Sequence, residues 1–166
     1  GAGGTAYIGI QHSCDSLFER LFTFNQRHAP LVQWAANGIV VKDSVFIGSD
    51  AQWHAGWSNE NLYENNIVLS NTRNNGGTGH GMWASAPEDV LHGPNGPRNV
   101  VWGNDVQALR SGVWLGGMNM DWIFRFNRFR IIGSQGNGVD VKTESSGHII
   151  HDNAFVFNST LSGRQS

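Results

Sequence analysis

Val101-Trp102-Gly103-Asn104-Asp105-Val106 and Phe124-Arg125-Phe126-Asn127-Arg128-Phe129 follow one pattern. Each opens and closes on an apolar residue and carries Asn in fourth place. Ile150-His151-Asp152-Asn153-Ala154-Phe155 repeats it. Looser copies are Leu17-Phe18-Glu19-Arg20-Leu21-Phe22, Val40-Val41-Lys42-Asp43-Ser44-Val45 and Leu62-Tyr63-Glu64-Asn65-Asn66-Ile67. The closing apolar residues are Phe22, Val45, Ile67, Val106, Phe129 and Phe155, at steps of 23, 22, 39, 23 and 26 residues. Recurrence on this scale marks a solenoid, in which each repeat buries its apolar side only against its neighbours.

A second strand precedes each unit. Its first inward residue is read as Ala6, Ala29, Ala51, Met82, Val113 or Val139, sixteen residues before the closing residue in five coils of six. A β-sandwich also has many short strands and Gly-rich turns, but it demands no such fixed offset. The expected fold is therefore all-β: a right-handed parallel β-helix of about six coils, two strands to the coil. At about 4.8 Å per coil the rod is about 29 Å long. Asn65, Asn104, Asn127 and Asn153 are expected to stack at one turn, amide on amide along the axis. The fourth coil carries two insertions, residues 71–80 and 87–97, on either side of the strand 81–85.

Units such as Asn61-Leu62-Tyr63-Glu64-Asn65-Asn66-Ile67 and residues 146–155 resemble the parallel β-helix repeats of the pectate-lyase-like superfamily, over residues 6–158. The resemblance implies a protein that cleaves or binds polysaccharide, often secreted or at the cell surface. Other members are phage tailspikes, surface proteins or C5-epimerases. The sequence carries no catalytic signature of one named enzyme family, so the resemblance transfers no site residue.

Composition agrees with a turn-rich rod. Of 166 residues, 22 are Gly and 17 are Asn, both tolerant of positive φ, and only 14% are charged. A net charge of −2 gives no basic field for nucleic acid. No apolar run approaches the length of a membrane span. Cys14 is the single cysteine, which excludes an internal disulfide. Residues 1–166 read as one β-helix domain. The chain opens on Gly1-Ala2-Gly3-Gly4-Thr5 and runs straight into an apolar stretch, with no amphipathic cap. The expectation is a piece of a longer chain, or a homo-oligomer that covers its β-helix ends by assembly.

Loops that interrupt a rigid repeat are where binding residues gather. The two insertions are expected to wall a cleft over coils 3–6. Strand alternation then turns outward Gln52 and His54 on coil 3, Trp83 and Ser85 on coil 4, Trp114 and Gly116 on coil 5, and Asp140 and Lys142 on coil 6. Indole faces suit the apolar face of a sugar. Trp83 and Trp114 are thus either a sugar platform or satellite core under the long loops. Arg110 is a further substrate-binding candidate. Asp140 with Glu88 or Asp89 would form the two-carboxylate pair of a glycoside hydrolase. Lys142, His92 or His54 would be the base of a polysaccharide lyase. Arg98, Arg110 or a Ca²⁺ ion held by Asp and Glu would neutralise a substrate carboxylate. No metal-binding motif is present. Two functions stay open: an enzyme that cleaves polysaccharide, and a non-catalytic carbohydrate-binding or assembly module.

Overall fold

Short runs of β-branched and aromatic residues, broken by Gly, Asn and Asp, fold here into a parallel β-solenoid. The computed structural model describes residues 7–54, 56–70, 79–84, 94–116, 119–134, 136–142 and 145–158. Among these residues there is no helix, and the strands form three six-stranded parallel sheets. The first sheet holds β1 (Tyr7–Gln11), β4 (His28–Gln33), β7 (Asp50–His54), β10 (Met82–Ala84), β13 (Val113–Leu115) and β16 (Val139–Val141). The second holds β2 (Leu17–Glu19), β5 (Val40–Lys42), β8 (Leu62–Glu64), β11 (Val100–Trp102), β14 (Ile123–Arg125) and β17 (Ile149–His151). The third holds β3 (Phe22–Phe24), β6 (Val45–Ile47), β9 (Ile67–Leu69), β12 (Asp105–Ala108), β15 (Arg128–Ile131) and β18 (Ala154–Phe157).

Each coil thus has three strands, not the expected two. The six-residue unit bends in its middle and supplies two of them. At the bend one residue takes a positive φ: Arg20, Asp43, Asn65, Gly103, Phe126 and Asp152 in successive coils. That left-handed residue turns the chain without a loop and explains the Asn, Asp and Gly found there.

The unit is also slipped by one residue in the first three coils. Phe22, Val45 and Ile67 pair in line with Asp105, Arg128 and Ala154, not with Val106, Phe129 and Phe155. The inward row is Thr23, Phe46, Val68, Val106, Phe129 and Phe155, leaving Phe22 and Ile67 exposed. A one-residue slip turns a strand's side chains over. Apart from Thr23, both rows are apolar in the early coils, so the pattern there did not separate inside from outside.

The same slip moves the Asn ladder from Asn65 to Asn66. The amide oxygens of Asn66, Asn104, Asn127 and Asn153 accept from the backbone N–H of Ser44, Asn66, Asn104 and Asn127, at 2.8–3.1 Å. Their amide nitrogens donate to Val41, Tyr63, Val101 and Phe124 carbonyls. Asn65 instead donates to Asp43 at the surface. A second ladder runs through Asn61 and Asn99, and His148 Nδ1 accepts from the Trp122 N–H at its far end. Corner backbone groups that no strand pairs are thereby satisfied inside the stack.

The bore is closed by Ala51, Trp53, Met82, Ala84, Val113 and Leu115 from the first sheet. Val41, Tyr63, Val101 and Phe124 face them from the second, and Phe46, Val68, Val106 and Phe129 from the third. Trp53 stacks on Tyr63 at 4.2 Å and packs against Trp122 at 5.0 Å. Trp34 lies outside this core, as a half-buried turn residue with φ 48°.

Candidate functional site

The first sheet carries most of the candidate residues. Its outward side chains fall in two rows along the axis, because parallel pairing in register places like positions side by side. One row runs Gly9, Leu31, Gln52, Trp83, Trp114 and Asp140. The other begins Gln11, Gln33 and His54. Lys142 follows Val141 at the far end, where its N–H bonds the Leu115 carbonyl. The expected placement of Gln52, Trp83, Trp114 and Asp140 on one outer face is what the sheet register shows.

Trp83 and Trp114 are direct cross-strand partners and both are half-buried. Histidines flank them: His80 lies 4.6 Å from Trp114 and 6.4 Å from Trp83, and His28 lies 5.3 Å from Trp83. The Lys142 ammonium stands over Trp114 at 4.5 Å and pairs with Asp140 at 3.1 Å. One face of Trp114 is thus covered by this chain's own cation.

His80 is 4% exposed. Burial, and secondarily the charge of Arg110, pull its pKa down to about 4. The Ser111 N–H donates to its Nδ1, which fixes the neutral ring with its proton on Nε2.

A cavity of about 340 Å³ opens over the first three strands, lined by Gln11, Arg27, His28, Gln33, Gln52 and His54 among others. Gln33 donates to Gln11 at 2.9 Å, and His54 Nδ1 meets the Gln33 oxygen at 2.9 Å. That oxygen only accepts, so His54 carries its proton on Nδ1. Behind this row His28 Nδ1 donates to Asp50 at 2.6 Å. Both are buried, His28 at 4% exposure and Asp50 at 0%. Gln52, at 0% exposure, has no hydrogen-bond partner for either amide atom among the described residues, and Arg27 Nε–H has none either.

The sequence reading missed His28, Asp50, Gln33, Gln11, Arg27 and His80. His28 and Asp50 directly precede Ala29 and Ala51, so the Ala register already held their pairing. Gln11, Gln33 and His54 were not alignable in that way. Between His28 and Leu31, β4 carries one residue more than either β1 or β7.

The remaining candidates are dispersed. Arg98 does not serve the outer face of the first sheet. It takes a positive φ at the corner before β11 and bonds Glu60 through Nε at 2.8 Å and through a terminal guanidinium nitrogen. That contact, more than Asn37 nearby, holds the Glu60 carboxyl below its usual pKa. Arg110 is exposed and acts on His80 through its charge. Glu88, Asp89 and His92, Ser85 and most of both insertions lie outside the described residues. Among the described residues no group of three or more His, Cys, Asp or Glu side chains is placed to hold a metal. Glu88 and Asp89, which could join the expected Ca²⁺ site, lie outside that set.

The chain gives no significant match to a family model, to a curated protein or to a solved structure. Its functional reading therefore rests on the chemistry of this face.

Proposed function

We propose that this chain is a carbohydrate-active solenoid that holds a polysaccharide against the outer face of its first sheet. The hydrogen-bonded row Gln11–Gln33–His54 carries the reading. It lines a cavity and lies one row from the paired indoles of Trp83 and Trp114. Amide side chains both donate and accept, as sugar hydroxyls do, and indole faces suit the apolar faces of sugar rings. The row advances about 4.8 Å per coil, a rise that lets an extended glycan run along the axis. The resemblance of the repeats to the pectate-lyase-like superfamily supports the same reading, and with it a secreted or cell-surface location.

Cleavage of that polysaccharide is a second reading. It is favoured by Asp140 and Lys142, paired at 3.1 Å beside Trp114. A hydrolase needs two carboxyls about 5–9.5 Å apart. Asp50 and Asp140 sit three strand spacings apart, about 14 Å. The described residues therefore fit a lyase with Lys142 as base better than a two-carboxylate hydrolase. With Lys142 held to Asp140, such a base must first give up its proton and its partner.

Affinity electrophoresis on a panel of neutral, acidic and acetylated polysaccharides tests the binding reading. Retardation by at least one polymer, weakened by Gln33→Ala and His54→Ala, is the expected result. No retardation on any polymer refutes it. Unsaturated-uronate absorbance on the same samples reads the lyase.

A further inference from the structure

We infer that copies of this chain associate head to tail, the sixth coil of one stacking on the first coil of its partner. The contact needs no polysaccharide and is independent of the glycan reading.

A stack of parallel strands has two unlike faces. β1, β2 and β3 edge the three sheets at one of them and β16, β17 and β18 at the other, with no further strand beside them among the described residues. Open strand edges are templates for pairing with another chain. Exposed apolar side chains gather on the same two coils. Leu17, Phe22 and Phe24 are 56–69% exposed at one face, and Val141, Ile149, Val156 and Phe157 are 45–49% exposed at the other. Exposed apolar groups clustered in this way mark an interaction surface.

Carrying the rows of the sheets on by one coil shows that the two faces match. The row from Leu17 to Ile149 sets Ile149 beside the partner's Leu17. In the third sheet Val156 falls beside the partner's Phe24, and the small Ala154 beside the partner's Phe22. The charges are complementary as well. The left-handed corner row that runs from Arg20 to Asp152 sets Asp152 beside the partner's Arg20. One residue earlier, His151 falls beside the partner's Glu19. Ion pairs between neighbouring coils already form within the chain, Lys42 with Glu19 at 3.6 Å and Arg125 with Asp152 at 3.2 Å. The side chains of Arg20 and Asp152 are 74% and 49% exposed, so both can take a further partner. Rim charges of this kind fix orientation and register, while strand pairing and apolar contact hold the copies together.

One coil is 23 residues from Phe22 to Val45 and 22 from Val45 to Ile67, within the about 20–30 residues a side of a standard interface. The Asn ladder does not cross the junction, because Leu21 stands where later coils have Ser44 or Asn. The contact is therefore weaker than that between coils of one chain, and reversible. A head-to-tail contact does not close on itself, so the rod lengthens with concentration. It leaves the outer face of the first sheet open and sets Asp140 beside the partner's Gly9.

Sedimentation velocity on the whole chain, with no polysaccharide present, tests the contact. Wild type is expected to pass from 18.2 kDa to dimers, trimers and longer rods as its concentration rises. Arg20→Asp and Asp152→Arg each set like charges at the junction, and each is expected to weaken association about tenfold. Mixed in equal amounts, the two variants again offer opposite charges at every junction and are expected to recover the wild-type lengths. Ile149→Lys, at the exposed apolar edge, carries the comparison should a corner variant fail to fold, with loss of growth expected. Trp57→Asn removes an exposed apolar group from a middle coil and is expected to associate as wild type does. A wild type that stays at 18.2 kDa up to about 1 mM, or that stops at a closed dimer, overturns the proposal. Folded charge variants that assemble like wild type, or a mixture of them that stays dissociated, overturn it too. Retardation by polysaccharide is read separately on the same proteins. Rods without retardation remove the glycan reading alone, and retardation without rods removes the head-to-tail contact alone.

Discussion

Trp83 and Trp114 stand side by side as cross-strand partners on adjacent coils, yet neither presents a bare ring. His28 and His80 crowd the first, and His80 and Lys142 the second. The pair packs against this chain's own side chains, and its role as a sugar platform is what the following substitutions test.

Trp83→Ala is expected to weaken glycan binding by about 1 kcal/mol if a sugar ring rests on the indole. Lys142→Ala uncovers Trp114 and is expected to leave binding as strong or stronger. Titration calorimetry with the polymer found in the screen checks both. Unchanged affinity in Trp83→Ala takes this tryptophan out of the site.

The Asn ladder is buried and carries stability. Asn104 accepts from Asn66 and donates to Tyr63 and Asn127. Asn104→Leu strands those groups, at a cost of at least about 2 kcal/mol. Asn65→Gly, one residue off the ladder at an exposed positive-φ position, is expected to shift stability by less than about 0.5 kcal/mol. Urea melts of the two variants read the difference. Equal losses would refute the inward assignment of Asn66.

His80 makes the fold sensitive to acid. Its pKa is about 4 in the folded chain against 6.5 as the ordinary value. Above the ordinary value neither state is protonated and nothing is lost. Between the two values the unfolded chain takes up a proton that the folded chain refuses, so stability falls as pH drops. The loss is complete below about pH 4 and is on the order of 3 kcal/mol. Denaturant midpoints from pH 7 to pH 4 should fall less steeply in His80→Gln than in wild type. Parallel curves would exclude the assignment.

Arg98 belongs to a corner ion pair. Arg98→Gln should raise the Glu60 carboxyl pKa toward its ordinary range, read by carboxyl carbon NMR. It should leave glycan affinity unchanged. Lost affinity would return Arg98 to the site.

Much of the fold was legible because the repeat is local. A three-residue strand, a left-handed corner residue and an Asn can be recognised within six residues. The candidate face was legible in its later coils, where Trp83, Trp114 and Asp140 keep a fixed distance from the inward residue before them. It was not legible in the earlier ones. The extra residue in β4 changes that distance, and no local pattern counts it.

The sequence by itself determined a parallel solenoid, the long fourth coil and the outward tryptophan pair, because apolar alternation and turn chemistry act between near neighbours. Tertiary structure alone decided which of Asn65 and Asn66 enters the stack, that Lys142 covers Trp114, that Arg98 serves Glu60, and that His28 meets Asp50 beside an unsatisfied Gln52. Each of these depends on the register between coils. Register is set by how whole strands settle over a shared core, and one residue of slip exchanges inside for outside.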